Sequence, residues 1–399
     1  QAMPFNVAFK LASVAGLLLL PLCGWLAGRW MRLPRPAPLL LAAACVPFLF
    51  VRTHSMWGAN IASTLAGMIA NSYGFPLMLL AVASGFRDAE DGRIRARTPL
   101  LLAVTVSAHF FTAVMAGLTL ATVPLLLART RGLGRTVRLL ALEGGLALLM
   151  TAGWWMPLAA RRGFSTDFGA AWPVSLWNTL PPYALWLAPL AVAAPFLALR
   201  RRVRAVGLFA AMGAGALLLF AKGAALSPVF VNVRLWPFLY FAWLALAACG
   251  AGLLLAGRRG HGLLAGALAL AGLALVERRE TADSWAVRPG VEAAPPSRAC
   301  ADWNYEGLER KPRWTLFRDL LEPLRHTPGR LANELNPAHT VFGSVRICEA
   351  VPHLFQKPVL EGGLVNSAVG ALFAYYVQGE SSLEAAGFPE RVTPGTFDP

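Results

Sequence analysis

The sequence predicts an all-α polytopic membrane protein with about ten transmembrane helices. The chain is 56% hydrophobic with a mean hydropathy of +0.54, and its first 276 residues contain ten apolar stretches. A helix that crosses a ~30 Å hydrocarbon core needs about 20 mostly apolar residues, so a chain of this composition crosses the membrane many times. The predicted spans are 8–28, 36–52, 72–86, 98–112, 113–128, 137–153, 183–199, 205–221, 236–256 and 262–276.

Arginine residues at alternate junctions set the predicted orientation. Seventeen basic residues fall on one side of the ten spans and six on the other. Because cytoplasmic loops carry the excess of Lys and Arg, the first side is assigned to the cytoplasm. The C-terminal segment is then expected outside a bacterial inner membrane. The cytoplasmic set is Arg29, Arg32, Arg35, Arg87, Arg93, Arg95, Arg97, Arg129, Arg131, Arg135, Arg138, Arg200, Arg201, Arg202, Arg204, Arg258 and Arg259.

Residues 98–128 form an apolar run of 31 residues, which is long for one crossing. Basic clusters flank this run at both ends, and equal flanks indicate that both ends lie on the same side of the membrane. We therefore expect two crossings joined by a tight turn that faces outside, with His109 near the tip.

The net charge of +15 does not indicate a nucleic-acid-binding protein. Residues 1–276 carry a net charge of +18, and residues 277–399 carry −3. The positive excess therefore lies in short loops, where it sets orientation and contacts anionic lipid headgroups. Membrane lipids are predicted partners, and nucleic acid is not.

The C-terminal part of the chain changes in composition. Residues 277–300 form a linker, and residues 301–399 a small mixed α/β extracytoplasmic segment. Residues 315–324 place apolar side chains at helical spacing, whereas residues 339–351 alternate as in a strand. Both tail cysteines, Cys300 and Cys348, are expected in an oxidising compartment that permits a disulfide, and the sequence leaves their pairing open.

The polar segment 54–67, next to the membrane and rich in small residues, is the most distinctive stretch for function. Irregular backbone at this depth occurs where it lines a cavity or is buried in protein, which makes Trp57 and Asn60 candidate binding residues. The alternative is tight helix packing through Gly, Ala and Ser. The sequence contains no Walker A loop, dinucleotide fingerprint, HExxH motif or paired CxxC motif.

Ionisable residues near the ends of the spans are further candidates. Arg234 precedes the ninth span at its predicted outer end, and an arginine there can hold a phosphate through two parallel hydrogen bonds. Lys222 would add a second positive charge, and His109 lies near the outer surface. Each has a simpler alternative, since Arg and Lys reach headgroups and a lone His often only packs. Glu143, inside the sixth span, is expected to be a structural hydrogen-bonding residue or a protonated acid.

Several of these segments resemble one protein family. The stretch 57–67, WGANIASTLAG, is similar to the WGGN-x-x-STLAGE stretch of the ten-span bacterial membrane proteins labelled "6-pyruvoyl-tetrahydropterin synthase related", which are related to the GT-C glycosyltransferases. The resemblance covers most of residues 36–375. Met68 departs from it, because the family has Glu at this position. Four further elements that resemble the family or GT-C enzymes are Ser107-Ala108-His109, Trp154-Trp155-Met156-Pro157, Arg234-Leu235-Trp236-Pro237-Phe238 and Leu360-Glu361-Gly362-Gly363.

The resemblance implies a GT-C-like integral membrane glycosyltransferase, or a non-catalytic relative, acting on polyprenyl-phosphate-linked sugars at the outer face. The implied partners are a polyprenyl-phosphate sugar donor and a glycan acceptor. No cofactor is predicted, and the use of a divalent metal by the intact protein is left open. The candidate binding residues are Arg234, Lys222, His109, Trp57, Asn60 and Glu361.

The catalytic residue is left unassigned. GT-C enzymes use a carboxylate as general base or metal ligand in the first outer loop. The first predicted span runs from outside to inside, so that loop is expected upstream of Gln1.

Two other functions remain open. A transporter or flippase for a lipid-linked or polar solute would carry ionisable residues near the middle of several spans, and Glu143 alone fits that pattern in the sequence. A structural membrane protein of envelope assembly would need no substrate site.

Overall fold

In the computed structural model, the described part of the first 255 residues is mainly helical. The structure describes residues 3–51, 57–65, 67–161, 181–227, 231–257, parts of 262–272, 306–333, 337–343 and 347–359. The helices of this part are α1 Phe5–Trp30, α2 Ala37–Phe50, α3 Ile61–Leu65, α4 Ile69–Asp91, α5 Arg97–Ala108, α6 Phe110–Ala121, α7 Val123–Arg131, α8 Leu133–Met150, α9 Ala152–Ala160, α10 Pro182–Trp186, α11 Ala188–Arg201, α12 Val206–Leu226 and α13 Trp236–Leu255.

The length and apolar character of the helices confirm a multi-pass all-α membrane protein. Among the described residues, six helices are long and apolar enough to cross a membrane, or seven if the bent pair α8 and α9 counts as one crossing. Helices α2 and α5 are apolar but shorter, with 14 and 12 residues. The predicted count of ten spans therefore stays a prediction.

The long apolar run is broken where its two predicted spans were expected to meet, although not at the same residue. The sequence places the boundary between residues 112 and 113, whereas α5 ends at Ala108 and α6 begins at Phe110. His109 separates the two helices in an extended conformation, with φ −160° and ψ 129°. The N–H of His109 closes the last hydrogen bond of α5, to Thr105, and its carbonyl oxygen accepts the first of α6, from Ala113. Its extended backbone separates the two helices.

Helix α13 is largely buried and packs against α2, α11 and α12. The ring of Phe241 meets those of Phe48 and Phe75 edge-on, with centroids 5.5 and 5.2 Å apart. Phe238 stacks on Phe75 at 5.1 Å. Aromatic pairs in these geometries contribute about 0.5–1.5 kcal/mol each beyond the burial of their surface. This aromatic core holds the start of α13 and the start of α4 in fixed positions.

An ion-pair network joins α1, α4 and α5 at one end of the bundle, which we call the Arg-rich end. Arg32 lies 3.2 Å from Glu90 and 3.3 Å from Asp91. Arg95 pairs with Asp91 at 2.7 Å and also with Asp88. From the sequence alone, these arginines were expected only to set the orientation in the membrane. The structure shows in addition that the acidic end of α4 pairs with them.

Helix α4 continues past the predicted end of the third span and so includes Asp88. Asp88 is fully buried within the ion-pair network. Thr98 Oγ1 donates a hydrogen bond to Asp88 Oδ2 at 2.6 Å, and Arg97 Nη2 lies 3.8 Å from Asp88 Oδ1. Hydrogen bonds to Asp91 and Asp88 raise the pKa of Arg95, which lies in the turn between α4 and α5. Arg95 therefore keeps its charge and stabilises both carboxylates.

The chain divides into two compact units. One comprises Gln1–Trp154 and Gly169–Ser284, and the other comprises Trp155–Phe168 and Trp285–Pro399. The helix predicted over residues 315–324 is confirmed in the second unit. There, α14 Trp314–Leu321 is followed by a 3₁₀ turn, Glu322–Leu324.

The strand predicted over residues 339–351 is wrong for the residues described. These form 3₁₀ turns at Pro337–Phe342 and Ile347–Ala350, followed by helix α15 Val351–Phe355. The buried apolar residues Ile347, Val351 and Phe355 pack with Phe317 and Leu321 of α14. They recur at every fourth residue, which is the period of a helix and not of a strand. Within the described residues of this unit, Leu331 and Val359 form an isolated β-bridge.

Candidate functional site

The loop between α2 and α4 is built by hydrogen bonds of Asn60. Its Oδ1 accepts from the main-chain N–H of Ser63 at 2.8 Å, so Asn60 caps the start of α3. Its Nδ2 donates to the carbonyl oxygen of Val51 at 2.8 Å, which ties the loop to the end of α2. Asn60, Ser63 and Thr64 are all buried. The observed contacts of Asn60 position the loop. Its role in binding stays a prediction.

Gly58 allows this loop to lie directly against α4. Its φ is +124°, and its main-chain N–H donates to Ser63 Oγ at 2.9 Å. A Cβ at this position would lie 2.3 Å from Nδ2 of Asn71 on α4. Only glycine combines this backbone conformation with such close approach. The loop backbone therefore covers the side chain of Asn71.

Asn71 and His109 face each other beneath the loop. Nδ2 of Asn71 lies 3.4 Å from Nε2 of His109, and Asn71 is fully buried. Among the described residues, neither Oδ1 of Asn71 nor Nδ1 of His109 has a hydrogen-bond partner, although both atoms are buried. Unpaired buried polar atoms cost about 1–3 kcal/mol each, so the fold holds two polar atoms at an energetic cost.

The close approach of α4 and α6 places the imidazole beside Asn71. Gly74 on α4 has no side chain, and a Cβ there would lie 2.6 Å from Thr112 Oγ1 and 3.0 Å from His109 Cβ. Thr112 Oγ1 instead donates to the carbonyl oxygen of His109 at 2.7 Å, which holds the turn. Burial, and after it the charge of Arg234, lowers the pKa of His109, which lies in the turn outside both helices. The imidazole is therefore neutral at pH 7.

Arg234 enters the same region from the start of α13. It ends the 3₁₀ turn Asn232–Arg234, where Oδ1 of Asn232 accepts from the main-chain N–H of Val233 at 2.9 Å. The guanidinium is half-buried, and its Nη1 lies 2.7 Å from Sδ of Met68. A thioether sulfur is only a weak acceptor, so Met68 does not neutralise the charge of Arg234.

Trp57 forms the wall of the cluster on the side of the aromatic core. Its ring meets that of Trp236 edge-on with centroids 5.4 Å apart, and Trp236 stacks on Tyr240 at 4.7 Å. All three side chains are buried. The loop, the start of α13 and the core therefore form one packed unit.

The structure thus brings together four of the predicted site residues at one end of the bundle, which we call the Arg-poor end. They are Trp57, Asn60, His109 and Arg234. Lys222 is exposed on α12, and no hydrogen bond or ion pair links it to the described part of the cluster. Glu361 lies outside the described residues, as does Cys300.

Sequence reasoning missed Asn71 and the contact of Met68 with Arg234. Asn71 and Ser72 are polar residues at the start of an apolar helix, a signal that could have singled out Asn71. Ser72 Oγ donates to the carbonyl oxygen of Ile69 at 2.7 Å within its own helix, whereas the amide of Asn71 points at His109. Sequence position alone does not distinguish the two.

Acidic residues are absent from the described part of this cluster. Asp88 and Glu143, both fully buried, lie beside Arg95 at the Arg-rich end. Within the described residues, no group of three or more His, Cys, Asp or Glu side chains could hold a metal ion. The cluster offers one guanidinium, one imidazole and one amide, a set that suits an anionic or hydroxylated ligand.

No protein-family model matches the chain, and no curated protein or solved structure is significantly similar to it.

Proposed function

We propose that the Arg-poor end binds the phosphate of a polyprenyl-phosphate-linked sugar, in a membrane protein of the GT-C type. The observation that carries this proposal is the convergence of Arg234, His109 and Asn71 from three separate parts of the chain. The resemblance of residues 57–67 to the GT-C-related family supplies the class of substrate.

The chemistry of the three side chains supports a phosphate ligand. Arg234 provides a planar cation that can bind two phosphate oxygens at once. Asn71 and His109 add neutral polar groups whose buried atoms Oδ1 and Nδ1 have no described partner. A neutral imidazole can donate through one ring nitrogen and accept through the other, so it suits a sugar hydroxyl or a phosphate oxygen.

The position of Met68 favours anion binding at Arg234. A glutamate, which the resembled family has at this position, would bring a negative charge to the guanidinium, whereas a thioether brings none. The cluster itself contains no described acid for general-base chemistry. We therefore assign binding to it, and propose glycosyl transfer or the role of a non-catalytic relative for the whole protein.

The orientation in the proposal follows from the distribution of arginines. The Arg-rich end faces the cytoplasm by the positive-inside rule, and the Arg-poor end faces outside. This places the site at the outer face of a bacterial inner membrane, where the glycan acceptor would also bind, and the C-terminal segment on the same side.

Transport is a second candidate function, and it is suggested by Asp88 and Glu143. Two buried carboxyl groups on neighbouring membrane helices are the kind of feature found in ion-coupled transporters. A transporter would lose solute uptake when either acid is replaced by its amide. A binding protein or glycosyltransferase of the proposed type would depend on Arg234 instead.

Binding of polyprenyl phosphate to the purified full chain tests the proposal. Removing a charge-assisted contact costs roughly 1.5–3 kcal/mol per bond lost, so Arg234→Ala should weaken binding at least tenfold. Arg161→Ala, at an exposed arginine of the other compact unit, serves as the matched control and should have little effect. The corresponding polyprenol without phosphate should bind both proteins equally. Equal affinity of wild type and Arg234→Ala for polyprenyl phosphate would reject the phosphate role of Arg234.

A further inference from the structure

An apolar groove with a volume of about 450 Å³ opens between helices α5, α6, α7 and α8. Helix α8 packs closely on α5 and α7 but contacts α6 much less, so a gap remains between α6 and α8. Small-molecule sites have volumes of about 300–1,000 Å³, and this groove falls within that range. Every described residue that lines it is apolar or glycine, among them Leu102, Val106, Ala113, Gly117, Leu140 and Ala147.

Two glycines in the lining keep the groove open. Among the described residues, a Cβ added at Gly117 of α6 or at Gly144 of α8 would meet nothing within 4 Å. Glycine elsewhere in the bundle is required by close packing, as at Gly85 of α4, where a Cβ would lie 2.8 Å from Leu120 Cδ2. Since glycine is less favourable than alanine inside a helix, helix packing does not explain Gly117 and Gly144. They leave space that the described protein does not fill.

The groove begins beside the proposed phosphate site. Val106 and Ala113 line one end of it and lie one helical turn before and after His109. The N–H of Ala113 donates to the carbonyl oxygen of His109 at 3.1 Å. From Ala113 the groove follows α6 to Ala121, a rise of roughly 12 Å, and reaches Pro124 of α7. It therefore runs from the Arg-poor end towards the Arg-rich end, through the apolar part of the bundle.

We propose that this groove holds the isoprenoid chain of the polyprenyl phosphate, an inference that rests on the proposed function. Such a carrier has one apolar chain attached directly to an anionic phosphate. With the phosphate at Arg234 and His109, the chain must continue into the membrane, and the groove starts at His109 and takes that direction. The groove thus adds a site for the chain to the site for the phosphate.

The single groove favours a carrier with one chain over a membrane phospholipid. A phospholipid has two acyl chains on one headgroup, whereas one channel leads away from the cluster that contains Arg234 in the described part of the bundle. Lipid tails are as apolar as the groove, so transfer out of water does not drive binding here. The chain is held by close contact with a shaped surface, and filling that surface should weaken the contact.

Two variants that fill the groove test this inference against a matched control. Gly117→Leu and Gly144→Leu place a bulky side chain in the groove, and the open space around both positions lets the helices keep their fold. Gly145→Leu is the control, because Gly145 is exposed on α8, has the same open space and does not line the groove. We expect each groove variant to bind polyprenyl phosphate about fivefold more weakly in phospholipid vesicles, and the control to bind it as the wild type does.

The same measurement with polyprenol, which has no phosphate, separates this inference from the proposed function. Both groove variants should weaken polyprenol binding, whereas Arg234→Ala should not. Loss of the phosphate role of Arg234 would leave this result unchanged. Equal polyprenol affinity of the wild type and both groove variants would overturn the inference, and so would an equal loss in Gly145→Leu.

Photolabelling of the wild type identifies the occupant without any variant. A photoreactive polyprenol should label peptides of α6 and α8 in vesicles, and unlabelled polyprenyl phosphate should displace it although phospholipid is present in large excess. Absence of label from both helices would overturn the inference. Labelling of the groove by a photoreactive phospholipid that polyprenyl phosphate does not displace would also overturn it, because an acyl chain would then occupy the groove.

Discussion

Arg234 and Met68 meet at the Arg-poor end, where Nη1 of Arg234 lies 2.7 Å from Sδ of Met68. Arg234 precedes α13 and Met68 precedes α4, so this contact joins two distant parts of the chain. It also affects the electrostatic character of this cluster, because the sulfur atom brings no negative charge to the guanidinium.

Replacing Met68 by glutamate should reduce the binding of anions. The new carboxylate would be close enough to form an ion pair with Arg234, and it would compete with a phosphate for the same donors. We expect Met68→Glu to weaken polyprenyl phosphate binding about tenfold, or ~1.4 kcal/mol. Met68→Gln has the same length without the charge and should change affinity much less. Equal losses in the two variants would show that size, and not charge, matters at residue 68.

Replacing Arg234 by lysine should restore only part of the affinity lost in Arg234→Ala. Lysine keeps the positive charge, but its ammonium cannot form the two parallel hydrogen bonds of a guanidinium. We expect an affinity between those of wild type and Arg234→Ala, measured as binding of polyprenyl phosphate to the purified full chain. Wild-type affinity of the lysine variant would indicate that residue 234 acts as a point charge and not through two parallel hydrogen bonds.

Replacing Asn71 by leucine should separate binding from stability. Leucine removes the buried Oδ1 that has no described partner, but it also removes the contact of Nδ2 with His109. The two effects on the free energy of unfolding oppose each other, so that free energy should change little. Phosphate binding should weaken, because the polar wall opposite His109 is lost. Ser72→Ala is the matched control, since Ser72 bonds to its own helix at Ile69. If both variants bind equally well, Asn71 is not part of the ligand site.

Replacing Gly58 by alanine should destabilise the loop that covers Asn71. The backbone φ of +124° is unfavourable for alanine, and the new Cβ would lie 2.3 Å from Asn71 Nδ2. Strain of this kind costs about 1–3 kcal/mol. We expect a lower unfolding free energy in detergent and weaker polyprenyl phosphate binding. Gly145→Ala, on α8 where an added Cβ meets nothing within 4 Å, should leave both measurements near wild type.

Cysteine labelling in intact cells should determine the orientation. Lys222 and Arg200 are both exposed and lie near opposite ends of the bundle, on α12 and α11. With a membrane-impermeant maleimide, Lys222→Cys should be labelled in intact cells above the background of the native cysteines. Arg200→Cys should react only after permeabilisation. The reverse pattern would invert the topology and place the phosphate site in the cytoplasm.

Much of the helical organisation could be predicted from local sequence. The break near His109 and the helix at 315–324 follow from apolar spacing and flanking charges, which act over one or two helical turns. The strand expected at 339–351 was wrong because apolar residues at every second position also include apolar residues at every fourth position, which is the spacing of a helix. Asp88 was missed as a buried acid for a related reason. The predicted third span ends at residue 86, before Asp88, and only the pairing of Asp88 with Arg95 and Thr98 permits its burial.

By itself the sequence determined that this is an all-α, multi-pass membrane protein, since apolar composition and helix length depend on each segment alone. It also singled out Trp57, His109 and Arg234 one by one. Only the tertiary structure decided that these residues lie in one cluster, that Asn71 contacts His109 there and that Lys222 is exposed on α12. The physical reason is that helix packing brings together side chains from distant segments, and no local pattern records which ones will meet.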